Sequence, residues 1–277
     1  MIQDLHFAKY HGLGNDFILI DGISQRIDLT KIQQHAIQLC DRNYGVGADG
    51  VIIVLESLDC DFRMVIINSD GSEPEMCGNG VRCLAQFVLD KGMINKDVFS
   101  LETKAGVMLP GYVKQKGMVK AIEVDMGPPQ YDSDLHHAGD VVTKKTVTIA
   151  DQDYVLHCVS MGNPHAVMFV QSLALIDDAL GQAIQPFFSA GINVEFVEII
   201  SPHEARIKVW ERGVGFTLAC GTGACAVLVA GVKTEKLNRK AVIELPGGPL
   251  ALEWQERDSH VIKTGPACYV FDGHFKF

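Results

Sequence analysis

The chain has 277 residues, 47% of them hydrophobic and 21% charged, with a net charge of −10 and a pI near 5.4. That length favours two domains of ordinary size, and the acidic balance excludes a general nucleic-acid binder, which would present a basic face. No apolar run is long enough to span a bilayer, residues 1–10 carry Asp4 and His6 and no apolar leader core, and eight cysteines without a secretion signal predict reduced thiols in a cytoplasmic protein.

In chain order, residues 7–10 and 17–21 read as strands flanking the turn His11-Gly12-Leu13-Gly14-Asn15. Thr30 with Gln33 predicts a capping box for a helix that carries Ile32, Ala36 and Leu39 on one face. Gly50 leads into a strand over 51–55, followed by another over 62–67. Asn68-Ser69-Asp70-Gly71-Ser72 is a turn by composition and leads to Cys77. Strands are expected around 99–103, 107–109 and 119–124. Met126-Gly127-Pro128-Pro129 then breaks the pattern, ahead of a polar stretch over 131–140. The second half repeats the order: strands over 141–149 and 154–159, a Gly162-Asn163 turn with a strand after it, and a helix over 175–184 stopped by Pro186. Strands over 194–199 and 205–210, Cys220 with its helix, and strands over 241–245, 250–254 and 261–263 complete it.

The repetition extends to the residues that carry chemistry. Met76-Cys77-Gly78-Asn79-Gly80 recurs as Ala219-Cys220-Gly221-Thr222-Gly223, each followed by a second cysteine, Cys83 or Cys225, inside a helical segment. Gly14-Asn15 precedes the first copy and Gly162-Asn163 the second; Asn68 and Glu211 each lie nine residues before their cysteine. A period this long marks a duplicated domain rather than a solenoid. Two homologous halves are expected to pack about a pseudo-twofold axis, with one thiol from each side meeting in one site. Cysteine, glycine, a polar residue and glycine at a helix start place a thiol among backbone N–H groups. Such an end attracts anions and favours the thiolate. The segment 224–232 contains no charge, so its helix must be buried on every side. Strands wrapped around a central helix meet that need. The expected fold is therefore α/β of the α+β type: two homologous domains, each a mainly antiparallel β-barrel around a central helix. Residues 1–120 form the first and 121–265 the second.

These motifs carry a resemblance. Lys9-Tyr10-His11-Gly12-Leu13-Gly14-Asn15-Asp16-Phe17, Asn68-Ser69-Asp70-Gly71-Ser72, the two cysteine motifs, Gly162-Asn163-Pro164-His165 and Trp210-Glu211-Arg212-Gly213, in this order, resemble the diaminopimelate epimerases over nearly the whole chain. The resemblance implies the same two-domain fold, with residues 266–277 returning to the first domain, and a homodimer. It also implies interconversion of LL- and meso-diaminopimelate without a cofactor. It assigns Cys77 and Cys220 as the acid/base pair, with His165 and Glu211 bordering the thiols. Asn15, Asn68, Gly78, Asn79, Asn163, Asn193, Glu211, Arg212, Gly221 and Thr222 are the implied substrate contacts. Where the family often has glutamine this chain has Gly50, so no side-chain contact carries over there.

The residues support that chemistry independently. Inverting an α-carbon requires a base on one face and an acid on the other, and a thiolate and a thiol supply them. No pyridoxal lysine motif stands out, and the cysteine spacing gives no Cys-x2-Cys and no zinc hook, so neither a cofactor nor a metal is expected. Cys83 and Cys225 are expected in the core, and Cys40, Cys60, Cys158 and Cys268 in structural positions. Two other readings use the same thiols: an epimerase of another amino acid such as proline or hydroxyproline, and a non-catalytic dithiol redox switch. The first has little use for Glu211, Arg212 and the asparagines. The second usually shows Cys-x-x-Cys at one helix start.

Overall fold

In a computed structural model of the chain, residues 4–25, 27–74, 77–135 and 140–276 are described; Met76 of the first cysteine motif and residues 136–139 of the polar stretch lie outside them. Two compact units form, Met1–Val124 with Gly265–Phe277, and Asp125–Thr264.

The first unit begins with β1 (Asp4–Gly12) and β2 (Asn15–Asp21), joined through Leu13 and Gly14 at φ 59° and 86°. This left-handed pair closes a tight hairpin, and at Gly14 a side chain would be strained. Then come α1 (Leu29–Cys40), β3 (Gly50–Leu55), β4 (Phe62–Asn68), α2 (Gly78–Asp90), β5 (Leu101–Thr103), β6 (Gly106–Met108), β7 (Gly111–Gln115) and β8 (Met118–Asp125). The sheet runs from the C-terminal strand Cys268–Lys276 through β1, β2, β3, β4 and β5 to β6. It is mixed: β2–β3 and β4–β5 are parallel and the other pairs antiparallel.

Its central strands are buried on both faces, which is why they read as continuous apolar runs. Phe7, Ile18, Ile20, Val51, Ile53 and Ile67 pack with Ile32, Ala36 and Leu39 of α1. From the opposite face Tyr10 meets Phe87 of α2, and Ile52, Met64 and Ile66 crowd Gly80. The expectation of strands around one helix thus finds α2 on one face and α1 on the other.

The second unit carries β9 (Thr143–Ile149), β10 (Gln152–Ser160), β11 (Pro164–Val170), α3 (Asp178–Ile184), β12 (Asn193–Ser201), β13 (Glu204–Glu211), β14 (Gly215–Thr217), α4 (Gly221–Lys233), β15 (Lys240–Leu245), β16 (Gly248–Trp254) and β17 (Val261–Gly265). Within it the strands run β9-β10-β11-β12-β13-β15-β16-β17, with β14 on β13. β11–β12 and β13–β15 are parallel, at the places β2–β3 and β4–β5 hold in the first unit. α3 shares a core with Leu156, Ala166, Met168, Val194 and Phe196. α4 packs against β10, β11, β12, β15 and β16, and every residue from Gly223 to Gly231 is buried. Each buried Val or Leu there contributes about 1.5–3 kcal/mol relative to exposure.

Three local expectations are corrected. The cap of α1 is Asp28, not Thr30: its carboxylate accepts from the N–H groups of Thr30 and Lys31, because a carboxylate two residues earlier reaches those donors first. The helix expected over 175–184 starts only at Asp178, capped by Asp177, with short 3-10 turns at Leu173–Leu175 and Gln185–Phe187, and Pro186 sits in the second of these. β7 and β14 are additional strands; in β7 only Tyr112 is buried, while Val113, Lys114 and Gln115 are exposed, and β14 has only three residues. Among the described residues no helix is long and apolar enough to cross a membrane.

Candidate active site

Cys77 and Cys220 occupy the same local position. Each is the N-cap of a 13-residue helix, in extended backbone at φ −137° and −116°. Each Sγ accepts a hydrogen bond from the glycine N–H three residues on, Gly80 at 3.4 Å and Gly223 at 3.3 Å. The second glycine of the motif follows from packing. A Cβ at Gly80 would stand 2.9 Å from Ile52 Cδ1, and one at Gly223 would stand 2.6 Å from Glu195 Oε1. By helix geometry the N–H groups of Gly78 and Asn79, and of Gly221 and Thr222, are turned out of the helical ladder at the positive end of the dipole.

Around Cys77 the environment is polar and partly open. Its Sγ lies 3.9 Å from Asn15 Oδ1, which also accepts from Asn79 Nδ2 at 3.2 Å. Asn15 is held from its other end by Asp49, whose Oδ2 accepts from Asn15 Nδ2 at 2.7 Å and from the N–H of Asp16. Arg42 clamps Asp16 and Asp49 together at 2.7 Å from each, and Lys9 pairs with Asp16 at 2.6 Å. Burial opposes the ionised form of Asp16, yet the hydrogen bonds from Arg42 and Lys9 outweigh it and hold the carboxyl down at about 2. A small cleft beside Cys77 is lined by Met64, Ile66, Glu73, Pro74 and Thr103. Asn68, at the end of β4, gives its amide to Ser72 Oγ at 3.0 Å. At Gly50 a Cβ would lie 2.7 Å from the Ile67 carbonyl oxygen, so this backbone has no room for a side chain there.

Around Cys220 the environment is buried and acidic. Thr222 Oγ1 lies 3.5 Å from its Sγ. Burial pushes the thiol well above its ordinary value, Glu211 and Glu195 push it further, and the Thr222 hydroxyl and Gly223 N–H oppose them. Glu211 accepts from Thr217 Oγ1 at 2.6 Å. His165 is fully buried, with Nδ1 2.7 Å from Glu195 Oε1 and Nε2 3.1 Å from Asn163 Oδ1. The donor atoms of His165, Glu195 and Cys220 fall within 4.8 Å of one another. Asn193 spends its amide on backbone: Nδ2 donates to the Pro164 carbonyl at 3.1 Å, and Oδ1 accepts from the N–H of Arg212 at 3.0 Å. Arg212 is exposed, and its Nη1 donates to the Ala190 carbonyl at 2.9 Å.

In the first unit, then, the fold brings Asn15, Gly78 and Asn79 to Cys77, with Asn68 held apart in its turn. In the second it brings His165, Asn163, Glu211, Gly221 and Thr222 to Cys220, with Asn193 and Arg212 tied to the backbone behind them. Sequence reasoning missed Asp49 and Glu195. The signal for Glu195 is a carboxylate inside the apolar run Val194-Glu195-Phe196-Val197; that for Asp49 is an acid just before a buried strand. Cys83 and Cys225 are fully buried, Cys40 and Cys158 are buried, and Cys60 is half-buried. Cys268 departs from the structural role expected of it: it is exposed on the C-terminal strand.

The family model described as diaminopimelate epimerase matches residues 7–131 and 157–270. A diaminopimelate epimerase of Nostoc punctiforme is 48% identical over 280 residues, covering 97% of this chain and 99% of the relative. Among solved structures, a PhzF-family phenazine biosynthesis protein of Bacillus anthracis superposes with a TM-score of 0.75 at 15% identity, covering 99% of both chains. A hydroxyproline epimerase of Agrobacterium vitis, with trans-4-hydroxy-L-proline bound, gives 0.71 at 15% identity over 99% of this chain and 93% of its own. The likeness to both is one of fold.

Proposed function

The chain belongs to the diaminopimelate epimerase family, and we propose that it interconverts LL-2,6-diaminopimelate and meso-2,6-diaminopimelate, inverting one α-carbon without a cofactor, on the route to lysine and peptidoglycan precursors. The observation that carries this reading is the repeated helix start, with Cys77 and Cys220 as matched N-caps that accept from Gly80 and Gly223. A single thiol can exchange an α-proton on one face. Inversion needs a second group on the other, and the duplication supplies it.

In the proposed reaction one thiol, as thiolate, removes the α-proton from one face, and the other, as thiol, returns a proton to the opposite face. Burial and the carboxylates of Glu211 and Glu195 oppose ionisation of Cys220; the two thiols exchange the roles of base and acid between the two directions of the reaction. As the C–H bond breaks, charge develops on the α-carboxylate. The helix-start N–H groups of Gly78, Asn79, Gly221 and Thr222 are placed to stabilise it. His165 and Glu211 tune Cys220. The distal ammonium and carboxylate fall to Glu211, Arg212 and the amides of Asn15, Asn68, Asn163 and Asn193, with Arg212 offering a planar fork for a carboxylate.

A homodimer and a cytoplasmic setting belong to the same proposal. The exposed Tyr269, Val270 and Phe271 on the C-terminal strand support the first, and the eight cysteine thiols support the second. Sedimentation at working concentration checks the dimer; a monomer there contradicts it. The activity is tested by incubating purified protein with LL-diaminopimelate, L-proline and trans-4-hydroxy-L-proline and separating the stereoisomers by chiral chromatography. The expected result is meso-diaminopimelate alone; turnover of proline with none of diaminopimelate contradicts the reading.

A further inference from the structure

Glu195 lies in the middle of β12, and neither the repeated motifs nor the thiol chemistry calls for an acid there. Its side chain is fully buried. A carboxylate so far from water persists only where hydrogen bonds or charge hold it. β11 and β12 run parallel, with Val167 opposite Glu195 and His165 opposite Asn193, so His165 and Glu195 share one face of the sheet and meet at 2.7 Å. The neighbours Val194 and Phe196 point into the other core, with Ala166 and Met168.

The same carboxylate touches the start of α4. Glu195 Oε1 lies 2.6 Å from the place a Cβ would take on Gly223, whose N–H donates to Cys220 Sγ. Gly223 is therefore glycine to admit the carboxylate against the positive end of the helix. Glu195 Oε2 is buried and accepts no hydrogen bond, so the group keeps acceptor capacity in the pocket that holds the thiol. The groups that face Cys220 are His165 from β11, Glu195 from β12 and Glu211 from β13.

We infer that Glu195 is a positioning residue for proton transfer at Cys220: it holds the His165 ring by Nδ1, fixing its orientation, and packs its carboxyl group against the helix start that carries the thiol. The inference rests on the acid/base role proposed for Cys220. Burial leads the causes that raise the Cys220 pKa, and Glu195 adds to it through charge.

Glu195→Gln keeps the volume and an oxygen for Nδ1–H to reach while removing the charge. The readout is the rate of iodoacetamide alkylation at Cys220 against pH, followed by mass spectrometry on substrate-free protein, with Cys77 as internal reference. In E195Q the Cys220 midpoint is expected to fall by about one pH unit or more, with that of Cys77 unmoved. The kcat should drop about tenfold or more while KM changes by less than about threefold. Glu195→Asp, which restores the charge, should return the midpoint most of the way. A folded E195Q whose Cys220 midpoint matches the parent overturns the inference. Should E195Q not fold, the parent decides, through the nitrogen resonances of His165 in protein labelled at histidine: a proton fixed on Nδ1 supports the pairing, and its absence refutes it. None of these thiol and ring readouts involves substrate. Failure to epimerise diaminopimelate would thus count against the proposed function, and an unmoved midpoint in an active enzyme against Glu195 alone.

Discussion

The two thiol pockets share a backbone and differ in what surrounds the sulfur. Cys77 and Cys220 both cap a helix and both accept from a glycine N–H. The polypeptide has thus kept, twice, the geometry that presents a thiol to an anion. Around Cys77, however, the neighbours are neutral amides backed by the Asp16–Asp49–Arg42–Lys9 cluster. Around Cys220 they are two carboxylates and a buried histidine. Duplication repeats the helix start, and divergence around the sulfur sets burial and two carboxylates against ionisation of Cys220.

The contrast can be broken most severely at the sulfurs. Cys77→Ala and Cys220→Ala should each lower epimerisation by about 10²–10⁴-fold or more, the usual weight of a proton-transfer group, with thermal unfolding close to that of the parent. Near-normal turnover in either variant removes that cysteine from the mechanism. A gentler probe is reactivity. At neutral pH iodoacetamide should modify Cys77, which is half-exposed, at least about tenfold faster than Cys220, which is 7% exposed and held as thiol. Equal rates would mean that the carboxylates do not set the difference.

The glycines at the third helical position sharpen the comparison in terms of stability. Gly80→Ala pushes a methyl against the aliphatic side chains Ile52 and Met64, and Gly223→Ala pushes one against the Glu195 carboxylate. Each should cost about 1–3 kcal/mol by overpacking, measured by denaturant unfolding. Only G223A should also shift the Cys220 alkylation profile. The smallest effect concerns the cluster behind Asn15. The folded-state pKa of Asp16, about 2, lies below its ordinary value near 3.8. Its contribution is therefore fully present above that ordinary value and is lost as pH falls toward the folded one. With allowance for solvent screening this amounts to about 1–2 kcal/mol. Between about pH 4 and 2 the parent should lose stability faster than Asp16→Asn; parallel curves would show that Arg42 and Lys9 do not hold the carboxylate.

Repetition made much of this legible in the sequence. The charge-free segment 224–232 required burial on all sides, and α4 has it as far as Gly231. The two Cys-Gly-x-Gly copies required helix starts, and both are there. What pairwise packing decides was not legible. Glu195 reads as one more residue of a strand until β11 brings His165 beside it. That the Asn193 amide joins the Pro164 carbonyl to the Arg212 N–H is likewise invisible until the strands pair. β7 and β14 are too polar or too short for alternation to mark them.

The central claim, that Cys77 and Cys220 act on opposite faces of one carbon, is tested most directly by hydrogen isotopes. LL-Diaminopimelate is mixed with the enzyme in heavy water and sampled well before equilibrium. A thiolate that has taken the substrate proton holds it as its single proton, while the opposite thiol, already exchanged with solvent, delivers deuterium. The meso product should carry deuterium at the inverted carbon from the first turnovers, and the recovered LL substrate should stay largely unlabelled. Starting from meso should give the mirror pattern. Label entering recovered substrate and product equally at early times would contradict the assignment of the two thiols to opposite faces, even if both prove essential by mutation.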